Sequence, residues 1–597
     1  MHGAAGRSGT PDISDEYDTA LDTDAPVVSV GAGSATADDS DDSEIDEPVP
    51  NAERLAAEAV ALAGPGSPEA ALVARFWRFA PDEELIGYTA VEMADAASSH
   101  RELAEQRMPG QLKLRITEPV ADLPHTVIEI VTDDMPFLVG SVTALLIGRH
   151  LDIHLLVHPL VVVRREPMGK LVEVAAEVEP DDAIAGDIVE SWMRVEIDAI
   201  RDATEREQLE GELVRVLTDV REAVEDWPRM RQRALAIADE LEAIRDTDAR
   251  PPVPEKDITD SVELLRWLAH EHFTFLGYRE YKLVPGESGE RLLAAELGTG
   301  LGILRQDQTT PLALTALPPE ARAKVLEKRL LIITKANSRA TVQRSAYLDY
   351  IGFKIFDDNG EVIGERRFLG LFSSAAYRTS VRNLPVVRRK VSEVFDRSGL
   401  SPRSHSGKDL LQILETYPRD ELFQIKTDDL YRAVIGVLRM AGRRQLRVFV
   451  RRDGYGRFIS CLIYLPRDRF TTHNRLRMQE ILLRRFNGVG LDYTTRVTES
   501  LLARVHVVVR TDPTNPPGEV DVDALAEELA EATRLWDDDF SLMLGRKLGD
   551  EQGKLLFTRY ADAFPDGYKE ENNPYEAFKD LAKLELLEEP GQLEMHL

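Results

Sequence analysis

Apolar and polar residues alternate along two stretches between Tyr347 and Tyr377, separated by one polar break. Ile351, Phe353 and Ile355 recur at every second position before Asp357-Asp358-Asn359-Gly360, and Val362, Phe368, Leu369, Leu371 and Phe372 follow it. A period of two is that of a strand with a buried face. Asn and Gly tolerate positive φ, so the pattern predicts strand, turn, strand.

The spacing changes repeatedly along the rest of the chain. Residues 52–107 carry apolar positions at helical spacing. Pro109-Gly110 breaks it, and 111–117 alternates like a strand. A strand is predicted over 125–132, then a helix opened by Pro136 and running to about His150. Strands follow over 153–165 and 170–179, joined by a turn at Pro167-Met168-Gly169, with a further strand over 191–200. Long charged helices are predicted over 202–247. Arg250 to Pro254 reads as a linker, because consecutive prolines cannot continue a helix. A short helix over 261–269 precedes strands and Gly-rich turns over 274–377. Helices return over 384–397 and 406–442. Strands over 446–452 and 457–465 flank the turn Asp453–Gly456, a helix spans 471–487, and strands cover 490–497 and 502–510. After a linker at 512–518, residues 521–586 read as helical. Gly591 to Leu597 alternates again and reads as the first strand of a further domain that the chain does not complete.

The order strand-helix-strand-strand-helix from Arg457 onward suits a small antiparallel sheet covered on one face by helices. Residues 125–226 share that rhythm. The predicted class is α+β and multidomain, with ACT-like βαββαβ modules, a β-rich domain and helical segments. A length of 597 residues agrees with several domains, at about 150 residues each.

Composition narrows the function classes. Hydrophobic residues make up 43% and charged residues 30%, and no apolar run approaches the ~18 residues of a membrane span. No basic segment followed by an apolar stretch opens the chain. Cys461 is the single cysteine, which excludes an internal disulfide and a cysteine-cluster metal site, and its setting reads as a buried strand. These features give the expectation of a cytoplasmic protein without membrane contact. The net charge is −32, and residues 1–50 hold thirteen acidic residues against Arg7 alone. That segment is expected to be a disordered acidic tail. The negative balance of the remainder disfavours nucleic acid as a partner.

Motifs for chemistry are sparse. Gly298-Thr299-Gly300-Leu301-Gly302 places its third glycine one residue early for a dinucleotide fingerprint, and no long helix follows; it reads as a loop between strands. Gly553-Lys554-Leu555 lacks the spacing of a phosphate loop. His150, His154 and His158 fall across a helix–strand junction, and His270-Glu271-His272 lacks zinc-protease spacing, so no metal ligands are assigned. No Gly-x-Ser-x-Gly elbow is present, although a triad of distant residues stays open. Ser373-Ser374 reads as a turn. Arginines cluster over 439–457, with Arg451 and Arg452 on opposite strand faces, and read as interdomain charge partners.

Several runs together resemble the N-terminal half of the large bacterial class of NAD-specific glutamate dehydrogenase. They are TVIEIVTDDMPFLVGSVT (126–143), HFTFLGYREYKL (272–283), the Ser345–Tyr377 segment, ILETYPRDELFQI (413–425), the Leu446–Leu482 segment and VTESLLARVHVVVR (497–510). The resemblance covers about 50 to 590. It implies a helical or ACT-like region over 51–118, an ACT-like domain with long helices over 119–249 and a PAS-like domain over 258–378. A helical segment over 379–442, a second ACT-like domain over 443–512 and a helical motif over 519–590 follow, with 591–597 opening the next domain. It also implies an enzyme whose catalytic region lies elsewhere. The substrate-binding lysine of glutamate dehydrogenases sits near a Gly-Gly pair, and this chain has no such pair. No catalytic, cofactor-binding or metal residue is therefore assigned; NAD belongs to the complete enzyme.

The candidate ligand site is the strand-to-helix loop Asp133, Asp134, Met135, Pro136 and Phe137. In ACT-like domains this loop meets an amino acid at a domain interface, with backbone N–H groups taking its carboxylate and Asp133 or Asp134 its ammonium group. Phe137 stands where many ligand-binding ACT domains have glycine. The other reading is a structural turn with an Asp capping the helix. The expected partners are a second copy of the chain, the glutamate dehydrogenase catalytic region in cis or in trans, and an amino-acid effector. The alternative function is a stand-alone ACT/PAS sensor controlling a partner protein.

Overall fold

A computed structural model describes residues 52–585, apart from 120–123, 248–250, 287–290, 307–311, 314–318, 441–442, 444, 499, 513–514, 516 and 519. The expectations for the tail over 1–50 and the strand over 591–597 lie outside the described residues. Three antiparallel sheets organise the rest.

The first sheet follows three helices, α1 (Ala52–Leu62), α2 (Pro68–Phe76) and α3 (Ala90–Ala104). The Ser67 side chain accepts from Ala70 N, and Thr89 and Glu92 form a reciprocal capping box, so local chemistry starts α2 and α3. Next come β1 (Lys113–Thr117), β2 (Thr126–Asp133), α4 (Leu138–Gly148), β3 (Ile153–Val157), β4 (Leu160–Arg165), β5 (Leu171–Val174), β6 (Ile188–Ile197) and α5 (Ala203–Arg245). Two expectations are corrected. The strand expected over 153–165 is split at Pro159, which has no N–H for the ladder; both halves still pair with β6. Helix α4 begins at Leu138 rather than Pro136, because Phe137 precedes it at φ 75°, a left-handed conformation.

The strand order is β1-β2-β6-β4-β5, with β3 also on β6. Taking β3 and β4 as one interrupted strand, this is the order of a βαββαβ sheet. The outer strand beside β2 comes, however, from the segment before it. Helices α4 and α5 pack on the face bearing Ile128, Ile130, Met193 and Val195. Helices α1–α3 cover the opposite face around Val131, Leu155, Val161 and Trp192. Helix α5 is one 43-residue helix with Pro228 inside it. At 1.5 Å per residue it is roughly 65 Å long. Leu209, Leu213 and Leu217 serve the first core, while Met230, Ala234 and Ile237 serve the next.

The second sheet follows α6 (Glu255–Trp267). It comprises β7 (Phe273–Pro285), β8 (Arg291–Ala295), β9 (Leu301–Gly302), β10 (Leu312–Ala313), β11 (Leu331–Arg339), β12 (Tyr347–Phe356) and β13 (Val362–Phe372), with helix α7 (Pro319–Leu326) ahead of β11. The order is β10-β8-β7-β13-β12-β11, with β9 also on β7. The predicted hairpin is present. Asp357 Oδ1 accepts from Asn359 N and Glu361 N at 3.0 and 2.8 Å, and Gly360 has φ 73°.

Short helices follow: α8 (Ser374–Arg378), α9 (Val387–Ser398), α10 (His405–Thr416), α11 (Arg419–Gln424) and α12 (Thr427–Leu438). The helix read over 406–442 is thus divided, with Pro418 immediately before α11. The third sheet contains β14 (Arg447–Arg452), β15 (Phe458–Pro466), α13 (Thr472–Arg485), β16 (Gly488–Arg496), β17 (Leu502–Thr511) and α14 (Val522–Ala532). Its order, β14-β15-β17-β16, repeats that of the first sheet, and again the outer strand comes from the preceding segment. Cys461 is buried between this sheet and α13–α14. Helices α15 (Trp536–Leu548), α16 (Asp550–Tyr560), α17 (Asp566–Glu571) and α18 (Pro574–Leu584) close around Phe540, Leu544, Phe564 and Leu581. No helix of the described residues is long and apolar enough to cross a membrane.

Candidate functional site

The loop Asp133–Phe137 leaves the end of β2 and enters α4. Asp133 accepts from Arg221 Nη1 at 2.7 Å, from Gly110 N at 2.9 Å and from Arg107 Nη2. Arg107 is fully buried and also donates to Glu190 at 2.6 Å; Glu190 in turn takes Arg165 at 2.7 and 2.9 Å. Burial alone would raise the Asp133 carboxyl, but Arg107 and Arg221 hold it below its usual range. Asp134 and Pro136 are exposed, and Met135 and Phe137 pack against the first core. Neither Asp caps α4, which has no side-chain cap; the capping reading is corrected.

The start of α4 also touches the second sheet. Gln343, at φ 72° in the β11–β12 connection, donates its N–H to Ser141 Oγ at 2.8 Å, and Ser141 Oγ donates to Phe137 O at 2.7 Å. A Cβ on Gly140 would stand 2.7 Å from Gln343 O, so glycine permits this approach. Both oxygens of Asp133 and the first turn of α4 are thus engaged within the protein.

A second cluster joins the second sheet, α11 and the third sheet. Lys335 Nζ lies 2.7 Å from Asp349 and 2.8 Å from Asp420, and Tyr377 Oη donates to Asp420 at 3.0 Å. Burial alone would lower the Lys335 ammonium, but the two carboxylates hold it up. Arg451 embraces Glu421 through Nε and, at 2.9 Å, Nη2, and reaches Gln424 at 3.0 Å. Of the arginines over 439–457, Arg451 makes the interdomain pairing expected, whereas Arg452 donates to the Pro517 and Gly518 carbonyls. Thr334 donates to Asp453 at 3.0 Å across the same junction.

Ser460 Oγ lies 2.9 Å from His506 Nε2, and Glu421 Oε2 lies 3.9 Å from that same nitrogen. A catalytic triad needs the hydroxyl and the acid on opposite ring nitrogens. Ser460 is moreover only 2% exposed. The trio is a buried polar contact, not a nucleophile.

Gly298, Thr299 and Gly300 lie in the loop between β8 and β9, as expected, but Leu301 and Gly302 form β9 itself and pair with β7. A Cβ on Gly300 would sit 2.2 Å from Leu304 O, and one on Gly302 would sit 2.1 Å from Leu276 O. Gly302 N donates to Asp226 Oδ2 at 2.9 Å. These glycines allow close backbone packing around α5 and β7. Among the described residues no group of three or more His, Cys, Asp or Glu is placed to hold a metal ion. Ser373 caps α8, so the Ser373-Ser374 turn is structural.

Comparison with known proteins agrees with this layout. Four family models match in chain order: the glutamate dehydrogenase ACT1 domain over 72–213, helical motif 1 over 384–443, the ACT2 domain over 447–537 and helical motif 2 over 543–587. The ACT matches take in all strands of the first sheet and of the third sheet. The NAD-specific glutamate dehydrogenase of Halomonas elongata is 36% identical over 529 residues, 87% of this chain and 32% of that protein. Its counterpart in Pseudomonas aeruginosa is 37% identical over 475 residues, 79% of this chain and 28% of that protein. The Mycobacterium tuberculosis enzyme is 30% identical over 498 residues, covering 81% and 29%. The chain spans about a third of the length of the curated relatives it matches.

Proposed function

We propose that this chain, which carries the ACT1, ACT2 and both helical-motif domains of glutamate dehydrogenase, is the regulatory and assembly region of an NAD-specific glutamate dehydrogenase. The complete enzyme would convert L-glutamate and NAD to 2-oxoglutarate, ammonium and NADH in the cytoplasm. In this reading the β-rich part over 258–378 is the PAS-like domain. The chain makes homo-oligomer contacts and holds the catalytic region, supplied in cis or in trans.

The observation that carries the reading is the ordered set of four domain matches. The structure adds physical support. Helix α5 serves two cores at once, and the Lys335 and Arg451 clusters fasten the second sheet, the helical motif and the third sheet together. Such a body can transmit a change at one module to another. Asp133, fully engaged by Arg107, Arg221 and Gly110, is assigned to cohesion of the first module, and an amino-acid effector at Asp134–Phe137 would have to displace the contact with Gln343.

The test is an NADH-formation assay with L-glutamate on the isolated chain, alone and with the catalytic region added as a separate polypeptide. No turnover alone and co-elution of the two polypeptides are expected. Robust turnover by the chain alone overturns the reading, as does failure of the two to associate.

A further inference from the structure

The two ACT sheets share a strand order, and each turns one face to its own two helices. On the opposite face the register sets side chains in cross-strand rows. In the first sheet one row runs Arg115, Glu129, Arg194 across β1, β2 and β6. Glu129 takes Arg115 Nε at 2.6 Å and lies 3.5 Å from Arg194 Nη1, so this row carries its own counter-charge.

In the third sheet a row runs Arg447, Tyr464, Arg504, Arg496 across β14, β15, β17 and β16. Tyr464 occupies the strand that corresponds to the one bearing Glu129. The row therefore holds three guanidinium groups and no carboxylate. Arg504 Nε and Nη1 and Tyr464 Oη are buried without a hydrogen-bond partner among the described residues. Arg419, at the start of α11, is near enough to Arg504 for the two guanidinium groups to repel each other. Its Nη2 donates to Thr379 O and Glu415 Oε2, both at 3.1 Å, while its Nη1 is buried and unpartnered. Tyr464 and Arg419 are each more than nine-tenths buried, at 7% and 9% exposure. Burial first, then Arg496 and Arg419, push the Arg504 guanidinium below its usual value, against the opposing pull of Tyr464 and Tyr417.

The carboxylates in the neighbourhood already have partners, and only Glu415 meets a residue of this group, through Arg419 Nη2. Glu415 accepts from Arg419, Ser380 and Val381 N. Glu421 is held by Arg451, and Asp492 by Arg339. Buried donors without acceptors are costly, and guanidinium forks fit the planar or tetrahedral oxygens of carboxylate and phosphate.

We propose that Arg504, Tyr464 and Arg419, flanked by Arg447 and Arg496, form a binding site for a small oxyanion, a carboxylate or phosphate group, between α11 and the face of the third sheet opposite α13 and α14. The anion takes the part that Glu129 plays in the first sheet. The site rests on these residues and not on the function proposed above.

The test is calorimetric titration of the whole chain in low-salt buffer, with inorganic phosphate in one arm and succinate in the other. One binding event per chain is expected in at least one arm; the arm that binds assigns the anion class. Arg504→Met and Tyr464→Phe are each expected to weaken it at least tenfold, while Arg452→Ala, on the other strand face, leaves it unchanged. Tyr464→Phe preserves the ring packing and decides the matter if Arg504→Met does not fold. Silence in both arms overturns the proposal, as does binding that survives Tyr464→Phe and Arg504→Met undiminished.

Discussion

Two glycines four residues apart should respond very differently to the same substitution. Gly302 has φ 59° and Gly298 has φ 75°, so alanine at either pays the left-handed backbone cost of about 1–2 kcal/mol. Their surroundings then diverge. A Cβ at 302 would sit 2.1 Å from Leu276 O, about 1 Å inside the closest ordinary carbon–oxygen approach of about 3.3 Å. Backbone must move, because neither atom belongs to a flexible side chain. Two hydrogen bonds depend on the present spacing: Ile303 N to Leu276 O at 2.8 Å and Gly302 N to Asp226 Oδ2 at 2.9 Å. Losing both adds about 1–3 kcal/mol each. Gly302→Ala should therefore cost about 3–8 kcal/mol against about 1–2 kcal/mol for Gly298→Ala, where no atom lies within 4 Å of the new Cβ. Hydrogen exchange on the intact chain reads the difference: residues 302–303 and strand β7 should lose protection in the first variant and keep it in the second. Equal protection and equal melting of the two variants would refute the packing argument. It would also reopen the loop as a phosphate cradle.

Lys335→Met leaves Asp349 and Asp420 buried without their shared cation and should cost about 3–5 kcal/mol in urea denaturation, with part recovered by adding Asp420→Asn. Glu129 gives a pH signature. Burial alone would raise its carboxyl, but His100, Arg115 and Ser99 bring it down to about 2, below its unfolded value of 4.5. Its stabilisation is then complete above about pH 4.5 and is lost as pH falls toward about 2, amounting to about 3 kcal/mol. Acid titration of the first module by circular dichroism should show this slope, and Glu129→Gln should flatten it. Lys390 Nζ donates to Leu422 O, Phe423 O and Ile425 O at 2.8, 2.9 and 2.8 Å, closing the end of α11. Lys390→Met should cost about 2–4 kcal/mol, seen as faster proteolysis around 419–426 than in wild type.

Local chemistry made much of the fold readable, and long-range pairing set the limit. The Asp357–Gly360 turn and the strands about Asp453–Gly456 are decided by residues a few positions apart, and they fall where the pattern predicted. Pro159 was visible inside an apolar run, yet the run continued on both sides; only pairing of both halves with β6 shows one strand interrupted rather than two. Phe137 at positive φ could not be read from its own side chain, because a bulky residue rarely adopts that conformation. Candidate sites follow the same rule. A charged residue in an apolar strand marks a buried partner, and Lys335, Asp349 and Arg451 could have been flagged that way. Their partners on α11 could not, since α11 is set against the strands only by the fold. The arginine row of the third sheet is more demanding still. Arg447, Arg496 and Arg504 lie on three strands, and they become neighbours of Tyr464 only through the register of β14, β15, β17 and β16. The repeated strand order of the two ACT sheets then supplies what neither sequence nor one sheet could. With Glu129 between two arginines in the first sheet as the internal reference, the third sheet is the one whose positive charge awaits an acceptor.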